Sequence, residues 1–355
     1  MQPSIQKVDL DHVLQQTPGL WEALRGQSIF LSGGTGLFGK WLVAAFCRAN
    51  DEYSLGAKLV VLTRNSSRAQ ADAPELFCHP NVHLHAGDFQ SFEFPTGGFT
   101  HVIHAATETD SFPSPIPRDY LYEANVAGTR RVLALAARAG TQRFLNISSG
   151  AVYGPQPLDV LHIAEDSRVA PDTGRIDLAY GHSKRASEFL VAAHAERFHF
   201  EACSARCFAF VGAYLPLDIN FAIGNFMGDA LHGRQIQVNG DGTPLRSYLY
   251  MADLAIWLWV LLLRGHNGRC YNVGSDQAIS IAELAQLVAE IVNPGATISI
   301  AKAPTPGQPP LRYVPSIERA RSELQLQPWV ELGNAIERTV VWNRLRLATA
   351  ASRLQ

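Results

Sequence analysis

The stretch Ile29-Phe30-Leu31-Ser32-Gly33-Gly34-Thr35-Gly36-Leu37-Phe38-Gly39-Lys40 decides the fold. A short apolar strand runs into four glycines, and apolar residues at helical spacing follow. Gly34, Gly36 and Gly39 fit G-x-G-x-x-G, while Gly33, Gly36 and Gly39 fit the wider G-x-x-G-x-x-G. Glycine serves three purposes in such a turn. It allows a tight reversal, lets backbone N–H groups approach a pyrophosphate, and lets the helix pack closely on the strand. The helix N-terminus then faces the negative charge. Lys40 is followed by Trp41, so no Gly-Lys-Ser/Thr closes the turn as it would in a P-loop. A dinucleotide seat is predicted, with Gly33, Gly36, Leu37, Phe38 and Gly39 as its cradle.

Outward from this turn, strands and helices alternate. Strands are predicted at Ser28–Leu31, Lys58–Leu62, Val82–Ala86, His101–Ala105, Phe144–Ile147 and Glu201–Phe208. Helices are predicted near Leu37–Ala49, Tyr120–Ala139 and Tyr180–Arg197. This rhythm argues for an α/β fold, a Rossmann-type doubly wound parallel sheet covered on both faces. After Phe210 the pattern loosens and glycine and proline become frequent, as in Ala303–Pro310. The chain therefore divides into an N-terminal extension (1–26), a dinucleotide-binding Rossmann domain (27–212 plus 247–275) and a smaller C-terminal substrate-binding domain (213–246 plus 276–355). In the extension, Leu10, Val13 and Leu14 lie at helical spacing, and Thr17-Pro18-Gly19 ends that helix.

The end of the second strand bears on the cofactor. A site for NAD usually places Asp or Glu there, on the ribose 2′-hydroxyl. Here the residues are Thr63-Arg64-Asn65, with Arg68 close behind and no carboxylate. A guanidinium suits a 2′-phosphate. NADP(H) is favoured and NAD(H) stays open, with Thr63 on the ribose and Arg64 as the selective group.

Tyr180-Gly181-His182-Ser183-Lys184 places a phenol and an ammonium at i and i+4 on one helix face. An ammonium, together with a nicotinamide cation, favours the phenolate and makes a proton relay near neutral pH. The strand containing Leu145-Asn146-Ile147 ends in two hydroxyls, Ser148 and Ser149, at the edge where such sheets bind ligands. A hydroxyl there can bond a substrate oxygen that gains or loses a proton.

Composition narrows the class. Hydrophobic residues make up 47% and charged residues 17% of 355, which supports a large core. The net charge of −2 gives no basic excess, so neither nucleic acid nor an anionic membrane is an expected partner. The longest apolar run, Leu254–Leu263, is far shorter than a membrane span. Five scattered cysteines imply no disulfide framework, and the N-terminus lacks a secretory signal pattern, so a cytoplasmic protein is expected.

Taken together, these motifs resemble the extended short-chain dehydrogenase/reductases, also called NAD-dependent epimerase/dehydratases. The likeness runs from about residue 27 to 345. It includes Gly87-Asp88, His104-Ala105-Ala106, Asn125-Val126-Ala127-Gly128-Thr129, Gly240-Asp241-Gly242 with Arg246, Met251-Ala252-Asp253-Leu254-Ala255, and Tyr271-Asn272-Val273-Gly274. The resemblance implies that Ser149, Tyr180 and Lys184 are catalytic. It implies that Asp88 and Phe89 lie at the adenine, and that Ala105, Ala106 and Asn125 line the cofactor. Arg246 would hold a substrate diphosphate, supported by Asn220, and Ser149 would also touch substrate. The implied substrate is a nucleotide-diphosphate sugar, and the implied assembly is a homodimer. Glu108, just past the His104 strand, is a further candidate substrate contact.

Departures from the pattern narrow the chemistry. Members that eliminate water across carbons 5 and 6 carry Asp-Glu after the strand-end hydroxyl, and sugar-acid decarboxylases carry a glutamate in that segment. Here the positions are Gly150-Ala151. Hydride chemistry at carbon 4 remains, first as reduction of a 4-keto sugar with NADPH. The alternatives are 4-epimerisation with bound NAD and, from another class, a non-catalytic dinucleotide-binding protein. The family's usual Asn after Arg-x-Phe is Ala209. Its C-terminal arginine is replaced by the run Pro304–Gln308, with Arg312 as a shifted substitute. Cys78, His79, His83 and His85 do not complete a four-ligand set, so no metal is expected. Trp257 and Trp259 are expected in the core.

Overall fold

The computed structural model describes residues 3–109, 116–219 and 221–351. Strands β1 (Ser28–Ser32), β2 (Lys58–Thr63), β3 (Val82–Ala86), β4 (His101–His104), β5 (Arg143–Ser149) and β6 (Glu201–Cys207) join the Cys270–Val273 strand in one sheet. The order is β3-β2-β1-β4-β5-β6 and then Cys270–Val273, and every pairing is parallel. These strands read as nearly unbroken apolar runs because helices cover both faces. The helices of this part of the chain begin with α1 (Lys7–Gln16), which packs on other helices, followed by α2 (Leu37–Glu52), α3 (Ser66–Asp72) and α4 (Pro74–Phe77). The others on this part of the chain are α5 (Arg118–Arg138) and α6 (Ala179–Phe198).

Strand order reverses between β1 and β4, and register fixes what meets there. Ser32 pairs with His104, His104 with Asn146, and Ser149 with Cys207. The carboxyl ends of the strands therefore lie along one edge, where α/β sheets bind ligands. The helix Met251–Arg264 returns to the sheet, and Trp257 and Trp259 are fully buried within it.

Residues 213–246 and 276–324 supply short strands: Leu245–Arg246 between Ile279–Ser280 and Arg312–Tyr313, and Ile236–Val238 beside Ile298–Ile300. One apolar cluster runs through these segments and one face of the large sheet.

The N-terminal residues are part of this core. Val13, Leu14, Leu20, Trp21 and Leu24 are buried. Asp9 accepts from the Tyr250 hydroxyl at 2.8 Å and from Arg338 Nη1 at 2.7 Å. Asp253, fully buried, accepts from the backbone of Trp329 and Val330 and pairs with His12 at 2.9 Å. Among the described residues, no helix is long and apolar enough to cross a membrane. Among the described residues, no cluster of three or more His, Cys, Asp or Glu is placed to hold a metal. His79 bonds Asp51, and His85 bonds the Glu93 carbonyl.

Candidate active site

A cleft of about 850 Å³ opens at the carboxyl edge of the sheet. Its floor is the glycine turn. Gly33 has φ +77, and a Cβ there would lie 2.5 Å from the Ala106 nitrogen. A Cβ on Gly39 would collide with the Gly33 carbonyl oxygen. One on Gly34 would lie 2.5 Å from Val61 Cγ1, so that glycine serves sheet packing. The turn thus presents backbone to the cleft, at the N-terminus of the sixteen-residue helix α2. Such a cradle fits a pyrophosphate. Leu37, Phe38, Thr63, Arg64, Phe89, Ala105 and Ala106 line the same cleft.

At the far end stand Ser149, Tyr180 and Lys184. Lys184 Nζ donates to the Ile147 carbonyl at 3.0 Å and lies 5.7 Å from the Tyr180 ring centre. Burial lowers its pKa to about 8, against the partial compensation of Cys207 and Glu188. Burial pushes the Tyr180 phenol up to about 12, with Thr107 and Ser149 pulling the other way by hydrogen bonding. The spacing alone suggested that the ammonium would favour phenolate. Without the nicotinamide cation that this expectation also invoked, burial is the largest influence on the Tyr180 phenol. The Ser149 hydroxyl also accepts from the Ala151 N–H at 3.1 Å. Ser148 Oγ donates to Glu188 at 2.6 Å, and Glu188 is also held by Arg206. Ser148 is thereby committed to a partly buried ion pair, which leaves Ser149 as the hydroxyl beside Tyr180.

Other expected residues sit differently. Asp88 is not in the cleft lining; its Oδ1 accepts the Gln90 N–H at 2.9 Å and shapes the turn that places Phe89. Asn125 is buried and its amide is engaged by protein. It bonds Thr107 Oγ1, both backbone groups of Glu108, and Ser183 Oγ. It fixes the loop after β4 without facing the cleft itself. Glu108 does line the cleft, 3.9 Å from Arg64 Nη1. Arg246 lies outside the lining and donates to the Leu245 carbonyl. Asn220 lies outside the described residues.

Two side chains were missed by the sequence reading. Thr107, two residues past Ala105, reaches the Tyr180 phenol. Tyr313 reaches Ser149. Arg312 was the expected substitute in that segment, but neighbours on a strand point to opposite faces, and it is Tyr313 that faces the hydroxyls. Position along a strand end could have suggested Thr107. Tyr313 sits in a two-residue strand after a proline-rich run, and nothing local marks it.

The family model described as the NAD dependent epimerase/dehydratase family matches residues 29–274. UDP-glucuronic acid decarboxylase 1 of Arabidopsis thaliana is 28% identical over 316 residues, covering 88% of this chain and 68% of that protein. dTDP-glucose 4,6-dehydratase of Streptomyces niveus is 26% identical over 326 residues, covering 89% and 92%. In three dimensions, UDP-glucuronic acid 4-epimerase from Bacillus cereus, solved with UDP-glucuronic acid and NAD, shares the fold. Its TM-score is 0.75 at 20% identity, over 90% of this chain and 99% of that one. With the glycine turn and the Tyr180–Lys184 helix inside the matched region, the chain belongs to the NAD-dependent epimerase/dehydratase family of enzymes.

Proposed function

We propose that this enzyme moves a hydride at carbon 4 of a nucleotide-diphosphate sugar, in the direction that reduces a 4-keto sugar. The observation that carries the reading is the convergence of Ser149, Tyr180 and Lys184 opposite the glycine cradle, with Gly150 and Ala151 beside them in place of carboxylates. Elimination and decarboxylation need charged side chains there, and hydride transfer does not.

Gly33, Gly36 and Gly39 would hold the cofactor pyrophosphate, Thr63 and Arg64 the ribose end, and Ala105 and Ala106 the chain between. When bound, the dihydronicotinamide supplies the hydride. Tyr180, held protonated up to about pH 12, is an acid at neutral pH, the state that donates to a carbonyl oxygen as it becomes an alcohol. Ser149 orients that oxygen. Lys184, fixed by Ile147, keeps a positive charge near the phenol as the proton leaves. Arg64 in the cleft wall, with no carboxylate at the end of β2, supports NADPH.

One observation favours a second reading, 4-epimerisation with retained NAD. Arg64 faces Glu108, so its charge is partly matched within the protein. Denaturing the purified enzyme and identifying the released nucleotide separates the two. An empty site that oxidises added NADPH with a nucleotide-linked 4-keto sugar is expected. Stoichiometric NAD⁺ would overturn the reductase reading.

The proposal extends to a homodimer through α5 and α6, where Tyr120, Tyr122 and Phe189 are exposed, and sedimentation equilibrium giving one chain per particle would exclude it. All five cysteines are unpaired, which supports a reducing compartment such as the cytoplasm.

A further inference from the structure

Phe38, Lys40 and Trp41 flank the last glycine of the cradle, and all three grip a second stretch of the cleft wall. In that stretch, Phe210, Leu215 and Pro216 line the cleft together with the glycine turn. The Phe38 ring meets the Phe210 ring edge-on, with centres 4.9 Å apart. The Trp41 indole N–H donates to the Ala213 carbonyl at 3.1 Å. Lys40 Nζ sits over the Tyr214 ring, 4.4 Å from its centre. The helix whose N-terminus carries the cradle therefore also carries this wall.

The wall is strained at Tyr214. The Leu215 N–H donates to the Gly212 carbonyl at 3.2 Å and closes a four-residue turn, in which Tyr214 stands third with φ +70. Glycine ordinarily fills that place, because a Cβ crowds the backbone when φ is positive. Among the described residues, Ser54, His199 and Gln325 also have positive φ without being glycine. Each of them follows a helix, where such a backbone ends the last turn. Tyr214 ends no helix, and its strain is offset by what the ring touches. Trp342, on the helix Leu332–Ala351, meets the ring with centres 4.8 Å apart. The hydroxyl donates to Glu75 Oε1 of α4 at 3.4 Å. Burial lowers the Lys40 pKa against the opposing pull of Asp72 and Glu75. An ammonium so withdrawn from water binds an aromatic face more strongly than an exposed one.

We propose that Tyr214 is a positioning residue for the dinucleotide: held by Lys40 and Trp342, its ring keeps the Gly212–Leu215 turn in the form that sets Leu215 and Pro216 against the cofactor slot, and so slows cofactor release. Strain of this kind persists only where the surroundings over-determine it. Without the ring the turn relaxes and the wall loosens, while the glycine cradle stays as it is. The effect therefore falls on dissociation and not on association. The inference rests only on a dinucleotide in the glycine cradle, so it stands under the reductase and the epimerase readings alike.

The test measures cofactor dissociation from the full-length enzyme. Bound NADPH is chased with excess NADP⁺ and followed by fluorescence. An enzyme that carries NAD⁺ through purification is followed by exchange with radiolabelled NAD⁺ instead. Tyr214→Gly suits the positive φ and removes the ring. It should release cofactor about tenfold faster, with the association rate within twofold of the parent. Tyr214→Phe keeps the ring on Lys40 and Trp342 and should dissociate within twofold of the parent. Lys40→Met keeps the stem but removes the charge above the ring, and release about threefold faster is expected. Melting curves accompany each variant, because a ring that is only a structural prop would lower the melting temperature and leave dissociation unchanged. A parental dissociation rate in Tyr214→Gly, or in Lys40→Met should the first variant fail to fold, would overturn the proposal. Release as fast in Tyr214→Phe as in Tyr214→Gly would also overturn it, by assigning the effect to the Glu75 bond. A parent enzyme that binds neither NADPH nor NAD⁺ would remove the cofactor reading of the cleft, and this inference with it.

Discussion

Arg64 Nη1 and Glu108 Oε1 face each other at 3.9 Å across the mouth of the cleft, one from the end of β2 and the other from the loop after β4. The Arg64 side chain is 75% exposed, so the pair is solvent-screened and costs little to separate. A 2′-phosphate would take the guanidinium from the carboxylate and form stronger, charge-assisted bonds. Arg64→Ala should therefore weaken NADPH about tenfold more than NADH. Glu108→Gln should shift the ratio the other way. Fluorescence titration of both cofactors checks this, and equal losses for the two in Arg64→Ala would rule out a phosphate contact.

Tyr180→Phe removes the proton donor and keeps the ring that packs near Lys184. Turnover should fall about a thousandfold, within the range for losing a positioned acid. Cofactor affinity should stay within twofold, because the glycine cradle is untouched. Steady-state kinetics alongside cofactor titration give both numbers. Retained turnover would exclude Tyr180 as the acid.

Much of this arrangement could be inferred from sequence because it is local. The Gly33–Gly39 turn is marked by glycine spacing within seven residues, although Gly33 and Gly34 are also required by the approach of Ala106 and Val61, and the Tyr180–Lys184 pair is marked by one helical turn. Buried parallel strands such as Leu59–Leu62 announce themselves as apolar runs. What stayed hidden depends on long-range pairing. Tyr313 reaches Ser149 only because Arg312–Tyr313 aligns beside Leu245–Arg246, and two-residue strands carry no periodicity. Asn125 was recognised by type, but its amide is directed to Thr107 and Glu108 by the packing of α5 against the loop after β4. Residues 1–26 read only as an extension carrying one helix, because the sequence of α1 shows nothing of the distant partners, Tyr250 and Arg338, that hold Asp9.

His104 makes a pH prediction. Its ring is buried between Ser32 Oγ at 2.8 Å and Thr129 Oγ1 at 3.2 Å, and burial, with Lys184 nearby, lowers its pKa to about 3. The unfolded chain, with an ordinary imidazole near ~6.5, binds this proton more readily. Stability contributed by neutral His104 is thus complete above about pH 6.5 and is lost as pH falls towards 3. The loss from this group is on the order of 5 kcal/mol at the acid end. His101, lowered to about 4 by burial and Arg143, adds to the same slope. His104→Asn should flatten the dependence of unfolding free energy on pH between 6.5 and 3 relative to the parent. An unchanged slope would mean that the imidazole is already protonated in the fold.

Two ion pairs on α1 separate burial from mere proximity. Lys7 and Asp11 meet at 3.0 Å, but the lysine is 80% exposed, so solvent screening leaves the pair worth little. Asp9 is 3% exposed, and it is the hydrogen-bond acceptor for both the buried Tyr250 hydroxyl and Arg338. Replacing it by alanine strands a buried phenol and leaves a half-buried guanidinium unmatched, at about 2–4 kcal/mol. Lys7→Ala should cost under about 0.5 kcal/mol. Urea unfolding of both variants gives the comparison on one helix, with the same apolar face docked in each. A loss below about 1 kcal/mol for Asp9→Ala would show that Val13, Leu14 and Trp21 hold the segment without help from its charge.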